Sequence, residues 1–133
     1  MPATFELAIQ VAPEDIDALN HVNNVVYLRY AQDVAGAHWR ADAPPEMQAS
    51  AVWVVRRHEI DYLRPAFAGE TLIARTRVGA YTAVTWDRHI DICRPGEDKP
   101  LAQVRSVWVL LDAATNKPRR IDERVLRCFL DDI

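Results

Sequence analysis

The sequence predicts an α+β domain in which one long, largely apolar helix is wrapped by a five-stranded antiparallel sheet, with a short helix at the C-terminus. Three observations lead there. A single long stretch, residues 25–42, takes up helical period. Four segments rich in β-branched and aromatic residues follow it at close spacing. A chain of 133 residues, 50% of them hydrophobic, suffices for one core, so residues 1–133 are read as one domain.

Residues 4–12, "TFELAIQVA", alternate loosely and predict a first strand ending before Pro13. From Val25 the period changes: Arg29, Gln32, Asp33, Gly36 and Arg40 form one narrow polar stripe amid apolar or small residues. Most of this helix's circumference is therefore expected to be buried. It should stop near Asp42, because Pro44 and Pro45 push the chain out of helical geometry. No other strong helix is expected in the first hundred residues. "AVWVVRRHEIDYL" (51–63), "TLIARTRVGAY" (71–81), "AVTWDRHIDIC" (83–93) and "LAQVRSVWVLL" (101–111) read as long strands. The last carries apolar residues on both faces, Val107, Val109 and Leu111 against Val104, Trp108 and Leu110, and should be covered on both sides near its end. After Asp122, the helical spacing of Val125, Leu126 and Phe129 predicts the short closing helix. One sheet of this size buries little by itself, so it is expected to curl around the apolar helix.

Composition excludes several function classes. Sixteen basic residues against 19 acidic ones, net −3 and without blocks of like charge, leave no electrostatic footprint for nucleic acid or a membrane surface. "MPATFELAIQ" lacks a signal-like basic and apolar run, and no stretch reaches the ~20 apolar residues of a spanning helix, so a cytoplasmic location is expected. Cys93 and Cys128 are far apart without ligand spacing, so idle thiols, no metal and no cofactor are expected.

The chemistry concentrates in "DIDALNHVNNVVYLRY", residues 15–30. A helix start leaves backbone N–H groups free and carries partial positive charge. Asn24 or Asn23 makes a good N-cap, which accounts for one polar residue and not for Asp15, Asp17, Asn20 and His21. A loop folding Asp17 back to the helix start would join a base or nucleophile to an oxyanion-stabilising site, the two parts of acyl hydrolysis, with His21 and Asn23 able to orient water or a substrate carbonyl. The plainer alternative is that Asp17 and Asn20 make Asx-turns and His21 packs or caps.

The segment D-x-D-x-x-x-H-V-N-N-x-x-Y, with "RHEIDYLRPAFAGETL" (57–72) and "SVWVLLDAATNKPRRI" (106–121), resembles the hotdog-fold thioesterases, specifically the group of 4-hydroxybenzoyl-CoA thioesterase and the bacterial short acyl-CoA thioesterases. The resemblance covers nearly the whole chain and implies hydrolysis of an acyl-CoA to a carboxylic acid and free CoA. It implies Asp17 as the catalytic carboxylate, the Asn24 N–H as the donor polarising the thioester carbonyl, and a homodimer with its active sites at the interface, often paired into a homotetramer. Two positions depart: Asn20 stands where the 4-hydroxybenzoyl branch has Gly, and Leu19 where the plant acyl-ACP branch has Asn, although His21 matches that branch. CoA phosphates call for cations, and the resemblance puts Arg64 at the pocket rim. Arg88 interrupts the apolar run Val84, Trp86, Ile90 and Ile92, and either arginine is otherwise a snorkelling or surface side chain. Tyr27, Trp53 and Tyr62 either line an acyl channel or fill the core.

Rival chemistries fit less well. Ser50 and Ser106 lie in no G-x-S-x-G elbow, and His58-Glu59 lacks a second zinc-binding His. His89 and Cys93, four apart on a strand, are roughly 13 Å distant, too far for a dyad. A hotdog dehydratase or hydratase would need a Pro-rich segment where "HVNNVVYL" stands, and the helix's one interior acid, Asp33, lies on the polar stripe. A non-catalytic acyl-binding module shares the fold, but a carboxylate kept in a partly buried loop is costly unless well hydrogen-bonded.

Overall fold

The computed structural model describes residues 4–130. In order along the chain come β1 (Phe5–Gln10), a 3-10 turn (Pro13–Asp15), α1 (Asn24–Asp42), α2 (Pro45–Ser50), β2 (Ala51–Tyr62), β3 (Thr71–Tyr81), β4 (Thr85–Cys93), β5 (Ala102–Asp112) and α3 (Glu123–Phe129). The strands form one antiparallel sheet in the order β1-β3-β4-β5-β2, and it curls around α1. This is the hotdog arrangement, with one long helix inside a five-stranded sheet.

Register decides which side chains meet α1. Directly paired residues share a face, and the pairs Thr76↔Ile90, Ile90↔Val104 and Trp86↔Trp108 carry the inner face across β3, β4 and β5. Arg56 is the extra residue of a bulge between Val55 and Arg57, so Trp53 and Val55 face inward on one side of it and His58 and Ile60 on the other. One core cluster lies under the first half of α1, where Tyr27, Tyr30 and Val34 meet Leu72, Ile90 and Ile92. A second lies under its end, where Met47, Trp86 and Leu110 meet Val125 and Phe129 of α3. Each such side chain, fully buried, contributes ~1.5–3 kcal/mol of transfer free energy.

Two expectations change, and one open choice is settled. The prolines end α1 as predicted, with Ala43 as C-cap, but Pro45 then occupies the first turn of the unpredicted helix α2, where a missing N–H costs nothing. The N-cap of α1 is Asn23, whose Oδ1 accepts from the Val25 N–H at 3.1 Å, and Asn24 is the first helical residue. Within one chain α1 buries only the stripe Tyr27, Tyr30, Ala31, Val34, Ala35 and His38, while Val25 is 68% exposed and Leu28 half-buried. The apolar residues flanking that stripe remain uncovered by the sheet.

The flank of α1 nearest β2 runs antiparallel to it. Tyr62 Oη donates to the Asn24 carbonyl at 3.0 Å, Gln32 Nε2 reaches His58 Nε2 at 3.4 Å, and Trp39 stands edge-on to Trp53 at 5.8 Å. β2 is an edge strand, paired on one side with β5 and on the other with no strand among the described residues. On β5 the second apolar face is covered to differing degrees, with Val107 buried and Val109 and Leu111 half-buried. No helix among the described residues is long and apolar enough to cross a membrane.

Candidate active site

The two aspartates of the D-x-D pair have different environments. Asp15 is buried, its Oδ1 accepting from Arg29 Nη2 at 2.7 Å and its Oδ2 from the Tyr30 hydroxyl at 2.8 Å and the Ala12 N–H at 3.1 Å. Burial alone would raise its pKa, but the hydrogen bonds from Arg29, Tyr30 and Ala12, with the guanidinium charge, outweigh that and hold the carboxyl below its ordinary value. The Asp15 carbonyl also accepts the Asn23 N–H at 2.9 Å. Asp15 thus pins the loop to both strand end and helix start, leaving no carboxylate oxygen for chemistry.

Asp17 lies in a tight turn. Its N–H donates to the His21 carbonyl at 2.9 Å, and its Oδ1 accepts from the N–H groups of Leu19 at 2.9 Å and His21 at 3.4 Å. These bonds make the Asx-turn foreseen as the plainer alternative, and they engage one carboxylate oxygen; Oδ2 has no partner among the described residues. At the turn tip Asn20 has φ 69°, in the left-handed region where Asn is tolerated next best to Gly. That is why Asn can stand where the resembled branch carries Gly.

The other predicted site residues distribute unevenly. His21 is half-buried with its ring edge-on to Phe67 at 5.4 Å. Asn23 is occupied as the cap, whereas Asn24 is exposed and its N–H has no hydrogen-bond partner among the described residues. Tyr27 is buried behind the first turn, 5.6 Å from Tyr62, and burial raises its phenol pKa. Arg64 Nη2 donates to Glu97 Oε1 at 3.0 Å and to the Lys99 carbonyl, so it ties the turn between β4 and β5 to the end of β2. The loop, by contrast, is stitched to the 64–70 segment by Val22 N–H to the Ala66 carbonyl at 2.9 Å.

A cavity of about 320 Å³ lies elsewhere, lined by Trp39 of α1, Trp53 of β2, Trp86 and Arg88 of β4, Trp108 of β5 and Phe129 of α3, among others. From Asn24 to Trp39 is fifteen residues, ~22 Å along α1, so within one chain the cavity and the Asp17 loop sit at opposite ends of the helix. Arg88 is neither a surface nor a snorkelling side chain. It is buried, its Nη1 bonded to His38 Nδ1 at 2.8 Å and Thr76 Oγ1 at 3.1 Å, with its guanidinium over the Phe129 ring at 4.8 Å. His38 reaches Asp42 through Nε2 at 3.0 Å. Burial, reinforced by the Arg88 charge and partly opposed by Asp42, lowers the His38 pKa to about 4, so the imidazole is neutral, with Nδ1 accepting from Arg88. The sequence reading missed this constellation. Its trace was a histidine at helical spacing on the buried stripe (27, 31, 34, 38) and an arginine on an apolar strand face.

The described residues hold no group of three His, Cys, Asp or Glu side chains able to bind a metal. Solved structures share this architecture. A 1,4-dihydroxy-2-naphthoyl-CoA thioesterase from Synechocystis is 16% identical with TM-score 0.82, 97% of each chain being covered. A probable thioesterase from Bartonella henselae is 22% identical with TM-score 0.79, over 90% of this chain and 100% of that one. A Thermus thermophilus thioesterase complexed with coenzyme A and zinc is 25% identical with TM-score 0.80, over 93% of this chain and 90% of that one. No curated protein matches the chain in sequence. The model of the thioesterase-like superfamily matches residues 11–129, from the end of β1 through the Asp17 loop to α3, and the chain accordingly belongs to that superfamily, as a hotdog-fold thioester hydrolase.

Proposed function

We propose that this protein hydrolyses an acyl-CoA thioester, with Asp17 as base or nucleophile and the Asn24 N–H as oxyanion donor. The observation that carries the reading is the contrast within the loop: among the described residues Asp15 is fully engaged, Asp17 keeps one carboxylate oxygen without a partner, and the helix start beside that loop offers an unpaired N–H. The macrodipole and the Asn24 N–H favour negative charge developing on the thioester oxygen, and the free Asp17 oxygen either takes a proton from water or attacks the carbonyl carbon itself. In both cases acyl-CoA and water give a carboxylic acid and a free thiol. His21 and Asn23 orient the loop and the helix start, and Tyr27 backs the first turn. Arg64 attracts the CoA phosphates, at the cost of sharing its guanidinium with Glu97.

The active unit in this reading is a homodimer. The free edge of β2 offers twelve residues for pairing with a second copy. Antiparallel pairing about the bulge at Arg56 would bring Ala51–Trp53 of one copy beside 59–61 of the other. Tyr62 leans on the helix start through the Asn24 carbonyl, so each cavity would then face the other copy's Asp17 loop. The same pairing would cover Val25 and Leu28, and a pair of such dimers makes the tetramer.

The test is thiol release from a panel of short, long and aromatic acyl-CoA esters by wild type and Asp17→Asn. The expected result is activity on at least one class and a loss of about a thousandfold in the variant, with an unchanged circular dichroism spectrum. Equal rates in both proteins would remove Asp17 from the mechanism.

A further inference from the structure

The cavity under the end of α1 has a lopsided chemistry. Its walls include four tryptophans and Phe129, and several of the buried donors around it lack acceptors among the described residues. The indole N–H groups of Trp53 and Trp108 are buried and have no partner among the described residues. Buried tryptophan N–H groups ordinarily find one. Arg88 is 6% exposed, and both of its hydrogen bonds leave from Nη1, so Nε and Nη2 have no partner among the described residues.

The charge balance points the same way. Among the described residues no carboxylate is bonded to Arg88: the side chains bonded to it are Thr76 and the neutral His38, and Asp42 stands on the far side of that imidazole. Asp87 lines the cavity too, but its carboxylate is held by Arg105, Nη2 to Oδ2 at 2.8 Å. A buried cation with free donors in an aromatic pocket is stabilised most by an anionic acceptor that brings its own apolar body.

We propose that the cavity receives the acyl group of the thioester and selects one that ends in a carboxylate, bound by Arg88. This rests on the thioesterase reading above, and on the dimer that sets the cavity opposite the second copy's Asp17 loop. It makes Arg88 a specificity-determining residue.

The test compares CoA esters in pairs of equal length, adipoyl against hexanoyl and suberoyl against octanoyl. In wild type, kcat/KM for the carboxylate-ended member should exceed that of its methyl-ended partner at least tenfold in one pair. Arg88→Met should bring that ratio to unity or below, and Arg88→Lys should keep part of it. Preference for the methyl-ended ester in both pairs, or a ratio unchanged in Arg88→Met, would overturn the proposal. Wild-type selectivity decides the matter alone if the Arg88 variants do not fold. Binding is read separately from chemistry by tryptophan fluorescence of Asp17→Asn titrated with the same esters. Carboxylate-selective quenching without hydrolysis by wild type would sink the thioesterase reading and keep the pocket, whereas hydrolysis without selectivity would do the reverse.

Discussion

At the start of α1 the polar groups crowd into one continuous stretch, residues 15–24, and lie at or near the surface, with Asp15 alone fully buried. Near its end they come from separate elements, His38 from α1, Thr76 from β3 and Arg88 from β4, and all three are buried. The first cluster is held by backbone: Asp17 by the Leu19 and His21 N–H groups, Asn23 as cap, Asn20 in left-handed geometry. The second is held by side chains packed between helix and sheet, with Phe5 stacked on His38 at 4.8 Å and Phe129 beside it. A site made of one loop can be changed atom by atom without unfolding the molecule. A site made of core residues couples recognition to stability, and its groups respond to pH through burial.

The sharpest way to break this comparison is inside the loop. Asp17→Asn should cost about a thousandfold in thioester hydrolysis while leaving the denaturation midpoint within ~0.5 kcal/mol of wild type. Asp15→Asn should do the opposite, losing ~2 kcal/mol of stability in a denaturant melt because Arg29, Tyr30 and the Ala12 N–H lose a charged acceptor, with catalysis by the folded fraction largely kept. Its folded pKa is depressed, so the stability it supplies is present above the unfolded value of 3.8 and disappears as pH falls through the lower folded value. If both variants lose activity alike at full stability, the two aspartates share the chemistry and the contrast collapses.

At the other end of α1 the signature is a pH dependence in a higher range. His38 goes from 6.5 unfolded to about 4 folded, so between these values the unfolded chain binds the extra proton. Stability should be level above pH 6.5 and decline as pH falls from 6.5 towards 4, with the slope reduced in His38→Gln. Thermal melts across that range check it, and an identical slope in the variant would place the titrating group elsewhere. Smallest of all should be Arg64→Ala, a two- to fivefold rise in KM for CoA esters with kcat unchanged, since that half-buried guanidinium is already shared with Glu97.

How much of each end was legible follows from how each is built. The proposed loop site lies in consecutive residues, so the D-x-D-x-x-x-H-V-N-N-x-x-Y spacing was enough to single it out as a candidate. Even there the unequal fates of Asp15 and Asp17 were not visible, because Arg29 and Tyr30, one helical turn into α1, choose between the two carboxylates. Arg88 looked like an interruption of an apolar face because the residue that accepts its hydrogen bond, His38, is fifty positions away. The cavity could not be read at all, since its walls come from α1, α2, α3 and four strands.

Sequence by itself determined the elements and their ends: periodicity gave α1 and the strands, Pro44 and Pro45 stopped the helix, and the Asn pair set its start. These are local effects of backbone sterics and side-chain pattern. Tertiary structure alone decided the strand order β1-β3-β4-β5-β2, the bulge that turns His58 inward, the clamp on Asp15 and the pairing of Arg88 with a neutral histidine. Those depend on which faces meet when the sheet closes on α1, and on how burial and hydrogen bonding then divide the charge among groups distant in the chain.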